Sequence, residues 1–157
     1  PLELRLRLRR LRARRTHGGN EYNELYDFKG LLMAQRSILR LRRWGRKALL
    51  TFKGPRLKSK YKKRSEVETQ VDFQKTRFLL KQLGFRIAAR YQKKREEFRL
   101  GSVLVTLDYL SRIGWFVEIE GRPRDIEAAA RKLGLSNQDV EPRSYLQILF
   151  PTVRLDM

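Results

Sequence analysis

A period-two alternation of charged and apolar residues is the feature that most constrains the fold of this chain. Residues 2–9 alternate leucine with glutamate or arginine, and the segments 38–42 and 66–71 repeat the alternation with other residues. Successive side chains of a β-strand point to opposite faces, so this pattern is typical of strands with one charged face. We therefore expect these three segments to be strands.

Three further strands are predicted by their content of β-branched and aromatic residues. The segment 48–53 ends at Gly54-Pro55, while 103–108 and 115–120 are rich in Val, Leu, Ile, Trp and Phe. Many short strands with few helices favour an α+β or barrel-like domain. A sheet closed on itself would turn the alternating charges inward, around a polar ligand.

Start and stop signals predict three helices. Asp72 is an N-cap residue for 73–83, and Gly84 and Gly134 follow the apolar faces of 73–83 and 124–133. A shorter helix is expected over 144–149. With 157 residues and no linker, the chain is expected to form a single domain over residues 1–157.

The amino-acid composition limits the ligands and the kinds of site that this chain can have. Lysine and arginine number 37 against 17 acidic residues, for a net charge of +20, which attracts polyanions of every kind. The absence of cysteine excludes disulfides, thiolate metal sites and a cysteine nucleophile, and the single histidine excludes a histidine metal cluster. The composition does not exclude phosphate-rich ligands or nucleic acid as partners.

No apolar run approaches the roughly 18–20 residues of a membrane span, and the leucine–arginine opening is unlike a signal peptide. We therefore expect a cytoplasmic protein without a membrane partner. The sequence leaves its oligomeric state open.

The charged strands and their neighbours occur in an order that resembles one known family. The motifs of this chain that carry the resemblance are Asn23-Glu24-Leu25-Tyr26-Asp27, Leu39-Arg40-Leu41-Arg42, Leu50-Thr51-Phe52-Lys53-Gly54-Pro55, Arg64-Ser65-Glu66-Val67-Glu68, Arg90-Tyr91-Gln92-Lys93-Lys94-Arg95, Val105-Thr106-Leu107-Asp108 and Phe116-Val117-Glu118-Ile119-Glu120-Gly121. Together they resemble the CYTH family, the triphosphate tunnel metalloenzymes, which include class IV adenylyl cyclases, thiamine triphosphatases and inorganic triphosphatases.

The resemblance implies a fold and a set of site residues. The fold is α+β, a closed antiparallel eight-stranded β-barrel that forms a triphosphate tunnel, with a few flanking helices. The implied phosphate ligands are Arg5, Arg40, Arg42, Lys53, Lys93 and Arg95. The implied carboxylates on the side of a Mg²⁺ or Mn²⁺ cofactor are Glu3, Glu66, Glu68, Asp108, Glu118 and Glu120, with Asp108, Glu118 and Glu120 as catalytic residues. Guanidinium forks and ammonium groups suit a triphosphate, and magnesium prefers oxygen ligands.

The opening strand departs from the family pattern Glu-x-Glu-x-Lys. One register places Pro1, Glu3 and Arg5 at these positions, and the other places Glu3, Arg5 and Arg7 there. Either register loses one carboxylate and replaces lysine by arginine. The segment 9–20 is also short for the helix that the family has there. We therefore expect an enzyme that is slow, or a pseudoenzyme that binds triphosphate without turnover.

The resemblance implies a metal-dependent reaction on a triphosphate such as ATP, thiamine triphosphate or tripolyphosphate. Hydrolysis is slightly favoured over cyclisation, because the His-Phe pair that precedes the opening strand of the cyclases is absent from this sequence. Two alternatives stay open: a non-catalytic binder of polyphosphate, nucleotide or RNA, and a basic nucleic-acid-binding domain of ribosomal-protein type. Surface charge would bind every polyanion with a steep dependence on salt, whereas a tunnel would select triphosphate.

Overall fold

The computed structural model describes residues 1–55, 64–111 and 113–150. These ranges contain seven strands, five α-helices and one 3₁₀ turn. In chain order they are α1 (Leu2–Arg10), β1 (Arg14–Asp27), α2 (Leu31–Ala34), β2 (Ile38–Trp44), β3 (Lys47–Lys53), β4 (Glu66–Gln70), α3 (Phe73–Gln82), β5 (Arg86–Leu100), β6 (Val103–Leu110), β7 (Gly114–Glu120), α4 (Pro123–Lys132), the 3₁₀ turn (Asn137–Asp139) and α5 (Tyr145–Leu149).

The strands form an antiparallel sheet in the order β4-β3-β2-β1-β5-β6-β7. The α+β class and most of the expected elements are confirmed: β2, β3, β4, β6 and β7 lie within two residues of their predicted bounds, as do α3, α4 and α5. In the described part of the chain the order has two edges, β4 and β7, and an eighth strand is not present. Closure into an eight-stranded barrel stays a prediction.

The prediction of a strand at the start of the chain is wrong, because residues Leu2–Arg10 form helix α1. The same segment and the leucine after it also fit the helical spacing i, i+4, i+7, which places Leu4, Leu8 and Leu11 on one face of a helix. Leu8 is fully buried, and Leu4 and Leu11 pack beside it. Leu2 and Leu6 are 67% and 47% exposed. The alternating sequence thus forms an amphipathic helix with one buried face.

The chain divides into two compact units, and β1 and β5 each contribute to both. The first unit comprises Pro1–Asn20 and Gln92–Val140. Its core joins one face of β6 to helices α1 and α4, and its buried residues are Leu8, Val103, Val105, Leu107, Ala129 and Leu133. Alternation along β6 leaves Thr106 and Asp108 on the opposite face.

The second unit comprises Glu21–Tyr91 and the described part of Glu141–Met157. Helix α3 covers one face of β1, β2 and β3, with a core of Tyr26, Leu41, Ala48, Phe73 and Leu80. The helix begins where expected, since Asp72 accepts a hydrogen bond from the Lys75 amide over 2.8 Å. Gly84 then takes the left-handed φ of 87° that ends the helix. No helix in the described ranges is both long and apolar enough to span a membrane.

Candidate functional site

Asp108 is the centre of a buried ionic cluster in the first unit. It lies directly opposite Arg95 in the pairing of β5 with β6. Arg95 donates to both carboxylate oxygens of Asp108, with Nε to Oδ1 at 2.8 Å and Nη2 to Oδ2 at 2.7 Å. Lys93 Nζ donates to Oδ2 over 2.8 Å. The Asp108 carboxylate, which is fully buried, therefore holds the two cations on one face of the sheet.

Burial by itself would raise the pKa of the Asp108 carboxyl. The hydrogen bond from Arg95 and the charges of Lys93 and Arg95 outweigh burial, and the pKa lies below its ordinary value. Asp108 is thus ionised and engaged through both of its oxygens. Such a carboxylate orients Lys93 and Arg95, so its role in this arrangement is that of a positioning residue.

Glu118 and Glu120 lie on β7, two residues apart and therefore on the same face of the sheet. Glu118 Oε2 accepts a hydrogen bond from Arg95 Nη2 over 2.9 Å, and its side chain is 40% exposed. Glu120 is exposed at the end of the strand. These two glutamates offer hard oxygen atoms with access to solvent, which suits Mg²⁺ or Mn²⁺ bound partly through water and phosphate oxygens.

The second unit carries a basic face on β2. Arg40 and Arg42 lie two residues apart on this face and approach Glu68 of β4: Nη2 of Arg42 is 3.0 Å from Oε2 of Glu68, and Nη2 of Arg40 is 3.9 Å from it. Thr51, directly opposite both Arg40 and Glu68 in the strand pairing, donates to the same oxygen over 2.6 Å. The hydroxyl of Thr51 therefore orients the carboxylate that holds the arginines.

Lys53 extends this face to the end of β3. It lies directly opposite Glu66, and its Nζ is 2.8 Å from Glu66 Oε2. Burial lowers the pKa of Lys53, the nearby charge of Arg40 lowers it further, and the bond to Glu66 opposes both effects. The predicted partners Lys53, Glu66, Arg40, Arg42 and Glu68 are thus brought together within one unit.

Two polar residues of β1 also face Arg42, and neither is among the predicted site residues. Glu21 Oε2 lies 3.5 Å from Arg42 Nη1, and Asn23 Nδ2 donates to Glu21 Oε1 over 3.0 Å. Glu21 and Asn23 are buried. Their signal in the sequence is the period of two that links residues 21, 23 and 25, which becomes informative once β1 is known to pair with β2.

Arg40 is a largely enclosed cation of this face, as is Arg42. Burial lowers the pKa of Arg40, but the nearby Tyr91, Glu21 and Glu68 raise it by more, so the net shift is upward. Its Nε is buried and has no hydrogen-bond partner among the described residues. Arg40 therefore stays charged and keeps a buried donor for an anion.

Glu3 and Arg5 lie on α1, because the strand that was expected to carry them is a helix. The carboxylate of Glu3 is exposed and pairs with Arg7, one helical turn further on. Arg5 binds Glu96 of β5 through two hydrogen bonds of 3.0 and 2.7 Å, and its guanidinium lies 4.7 Å from the centre of the Trp115 ring. In this arrangement Arg5 fastens α1 to the sheet.

No three Asp, Glu or His side chains within the described ranges gather around a point that would hold a metal ion. The carboxylates predicted for the metal are distributed between the two units, and four of them pair with predicted phosphate ligands: Glu66, Glu68, Asp108 and Glu118. Each unit thus neutralises its own basic side chains with carboxylates on the same sheet face.

Comparison with known proteins gives a family and a fold. The family model described as the CYTH domain matches residues 2–145. A protein of Methanocaldococcus jannaschii, provisionally named an adenylate cyclase, is 27% identical over 121 residues, which cover 70% of this chain and 69% of that protein.

Two solved archaeal structures share the fold over nearly the whole chain. A Pyrococcus horikoshii OT3 protein superposes with a TM-score of 0.82 and 28% identity, covering 96% of this chain and 94% of its own. A conserved hypothetical protein of Pyrococcus furiosus superposes with a TM-score of 0.79 and 29% identity, covering 93% and 92% of the two chains. Since the family model matches more than half of the residues, this chain belongs to the CYTH domain family, which includes adenylyl cyclases and triphosphatases.

Proposed function

We propose that this protein is a metal-dependent enzyme of the triphosphate tunnel type, which hydrolyses or cyclises an organic or inorganic triphosphate. The observation that carries the proposal is the pairing of basic and acidic side chains on one sheet face of each unit. Lys53 pairs with Glu66, Arg42 with Glu68, and Lys93 and Arg95 with Asp108. These cations are held in position before a substrate arrives, which reduces the cost of ordering them around phosphate.

The basic side chains would bind the phosphates in two ways. Within the second unit, Arg40 and Arg42 offer planar forks for two phosphate oxygens each, and Lys53 acts as a compact charge. Within the first unit, Arg95 and Lys93 offer the same two kinds of group. Asp108 fixes Lys93 and Arg95, and Thr51 fixes Glu68. A bound triphosphate would replace Glu66 and Glu68 as the partner of the cations in the second unit.

Glu118 and Glu120 are the residues that we assign to a divalent cation, because they are accessible carboxylates on one face of β7. When bound, Mg²⁺ or Mn²⁺ would neutralise charge on the phosphate oxygens. Asp108 does not fit this role, since both of its oxygens already accept hydrogen bonds from Lys93 and Arg95. We assign Asp108 to the orientation of the two cations.

A second candidate function is the binding of nucleic acid or another long polyanion. It is favoured by the segment 9–15, in which Arg9, Arg10, Arg12 and Arg14 are exposed and form no ion pair with a carboxylate in the described part of the chain. Arginine forks suit contacts to the phosphate backbone. None of these four arginines is among the residues assigned to triphosphate.

A release assay tests the first proposal. Purified protein is incubated with ATP, GTP, thiamine triphosphate or tripolyphosphate in the presence of Mg²⁺ or Mn²⁺, and phosphate and pyrophosphate are measured. We expect release from at least one substrate, its loss with a chelator, and its loss in Arg42→Ala. Arg46→Ala, in the exposed turn between β2 and β3, is the matched control and is expected to be active.

Thermal unfolding separates the two candidate functions. Tripolyphosphate at about 100 times its dissociation constant is expected to add about 2.7 kcal/mol to stability, and equimolar monophosphate much less. Equal stabilisation by monophosphate, or by sulfate, would indicate general attraction of anions and would contradict the enzyme proposal. Binding of duplex RNA that weakens steeply with salt would support the second candidate.

A further inference from the structure

A row of three side chains crosses one face of the sheet in the first unit. Lys94 of β5 lies directly opposite Tyr109 of β6, and Tyr109 lies directly opposite Trp115 of β7. Alternation along β6 puts Tyr109 on the same face as Val105 and Leu107, which belong to the buried core. Tyr109 is nevertheless 39% exposed, and Lys94 is exposed as well. The row thus continues the core face of the sheet onto the protein surface.

The two aromatic rings of this row contact each other. Their centres are 5.2 Å apart, and their planes are inclined by 45°. Trp115 is held in turn by the hydrophobic core and by the guanidinium of Arg5, which lies 4.7 Å from the centre of the Trp115 ring. Tyr109 is the more exposed residue of the pair. An accessible aromatic ring that is supported by its neighbours suits the stacking of a nucleic-acid base.

Three cations lie near the buried carboxylate of Glu96, beside the aromatic pair. Arg5 binds this carboxylate through two hydrogen bonds of 3.0 and 2.7 Å. These bonds lower the pKa of Glu96, and the charges of Arg5, Arg15 and Lys94 lower it further, against the effect of burial. A single carboxylate neutralises one of these three charges. The surplus positive charge suits the phosphates of a nucleic-acid strand.

We propose that this surface binds single-stranded nucleic acid, with one base stacked on Tyr109 and the adjacent phosphates in contact with Lys94 and Arg15. The inference rests on the second candidate function and adds to it a preference for single strands. A duplex keeps its bases stacked on one another and presents phosphates and base edges to a protein, so it has no free base for Tyr109. An acidic protein segment would pair with the cations alone and would not require the ring.

Fluorescence anisotropy with labelled oligomers tests the inference. The probes are oligouridylate and oligodeoxythymidylate of about 12 nucleotides and a duplex RNA of equal length, titrated between about 50 and 200 mM salt. A duplex carries about twice the charge of a single strand per unit length, so charge alone favours the duplex. We expect at least one of the single strands to bind at least about fivefold more tightly than the duplex.

Tyr109→Leu keeps an apolar contact for Trp115 and removes the exposed aromatic ring. It is expected to weaken single-strand binding at least about fivefold with an unchanged salt dependence, because a stacked base releases no counterions. Tyr109→Phe keeps the ring and should bind within about twofold of the parent protein. Lys94→Ala should instead reduce the slope of log affinity against log salt by about 0.7, the loss of one phosphate contact on a single strand.

Phe78→Leu is the matched control, because Phe78 of α3 is a 61% exposed ring in the second unit. It is expected to bind the oligomers like the parent protein. Should Tyr109→Leu fail to fold, cross-linking of an iodouridine-substituted oligomer to the parent protein locates the stacked base without a substitution. We expect mass spectrometry of the digested complex to find the cross-link on Tyr109.

Four results would overturn the inference: a duplex bound as tightly as the single strands, a loss in Tyr109→Leu no larger than in Phe78→Leu, an equal loss in Tyr109→Phe, or polyglutamate of matched charge that competes as well as the single strand. Tight duplex binding with a steep salt dependence would sustain the second candidate function and refute the stacked base alone. Absence of binding for every oligomer would refute both. Phosphate release from triphosphates tests the enzyme proposal independently of these results.

Discussion

Lys93 Nζ lies 2.8 Å from Asp108 Oδ2, and the two side chains are almost completely buried. Arg95 binds the same carboxylate through two further hydrogen bonds. Removal of one member of such a buried group leaves the others charged and without compensation. The cluster is therefore the part of the first unit where a single substitution has the largest electrostatic effect.

Asp108→Asn is expected to lower the free energy of unfolding by about 3–5 kcal/mol, because Lys93 and Arg95 lose their buried counter-ion. The measurement is urea denaturation at neutral pH. Glu3→Gln, which removes an exposed carboxylate on α1, is the control and should cost less than about 0.5 kcal/mol. A loss in Asp108→Asn as small as that of the control would contradict the assignment of Asp108 as a positioning residue.

Stability is expected to decrease in acid, partly through Asp108. Its pKa in the folded protein is below the ordinary value of about 3.9, so its contribution is complete above that pH. The contribution is lost as the pH falls through the lower pKa of the folded state. Denaturation curves recorded between about pH 7 and pH 2 should fall less steeply for Asp108→Asn than for the parent protein. Identical pH dependence would show that Asp108 is not the responsible group.

Leucine substitutions on α1 distinguish the helix from the strand that the alternation predicts. Leu6 and Leu8 would share one face of a strand, but in the helix Leu8 is buried and Leu6 is exposed. Leu8→Ala is expected to cost about 2–5 kcal/mol of unfolding free energy, and Leu6→Ala about 0.5 kcal/mol or less. Equal costs in chemical denaturation would contradict the helix.

Lys53→Ala is expected to weaken triphosphate binding by about 1.5–3 kcal/mol, the range for a hydrogen bond to a charged group. The fold should change little, because Lys53 lies at the end of β3 and pairs with a partly exposed Glu66. Titration with tripolyphosphate gives the measurement, and Lys47→Ala at the exposed beginning of the same strand is the control. Unchanged affinity in Lys53→Ala would place this lysine outside the phosphate site.

Glu118→Gln and Glu120→Gln are each expected to abolish metal-dependent turnover of the triphosphate. Binding of tripolyphosphate without metal should be unchanged or tighter, because each substitution removes a negative charge from the face that carries Arg95. Turnover and metal-free binding are measured on the same preparations, with Glu127→Gln, which changes an exposed glutamate of α4, as an active control. Full activity in both variants would refute the assignment of these glutamates to the metal.

Local signals in the sequence determined those helices and strands whose hydrophobic period fits only one type of secondary structure. The alternating segments became β2 and β4, and caps at Asp72 and Ser144 begin α3 and α5. The polar positions of β3 and β4 can be read from alternate residues, but the pairing of Lys53 with Glu66 depends on the register between the two strands.

Tertiary structure decided two kinds of case. In one, the same hydrophobic pattern fits the period of a strand and that of a helix; in the other, burial changes the function of a side chain. The leucines at 2, 4, 6 and 8 suit a strand and a helix, and packing of Leu8 against Val105 and Leu133 in the core selects the helix. Asp108 has the residue type of a metal ligand, but its burial between Lys93 and Arg95 makes it their counter-ion. Partners distant in sequence set such outcomes, because desolvation and packing depend on the whole fold rather than on local spacing.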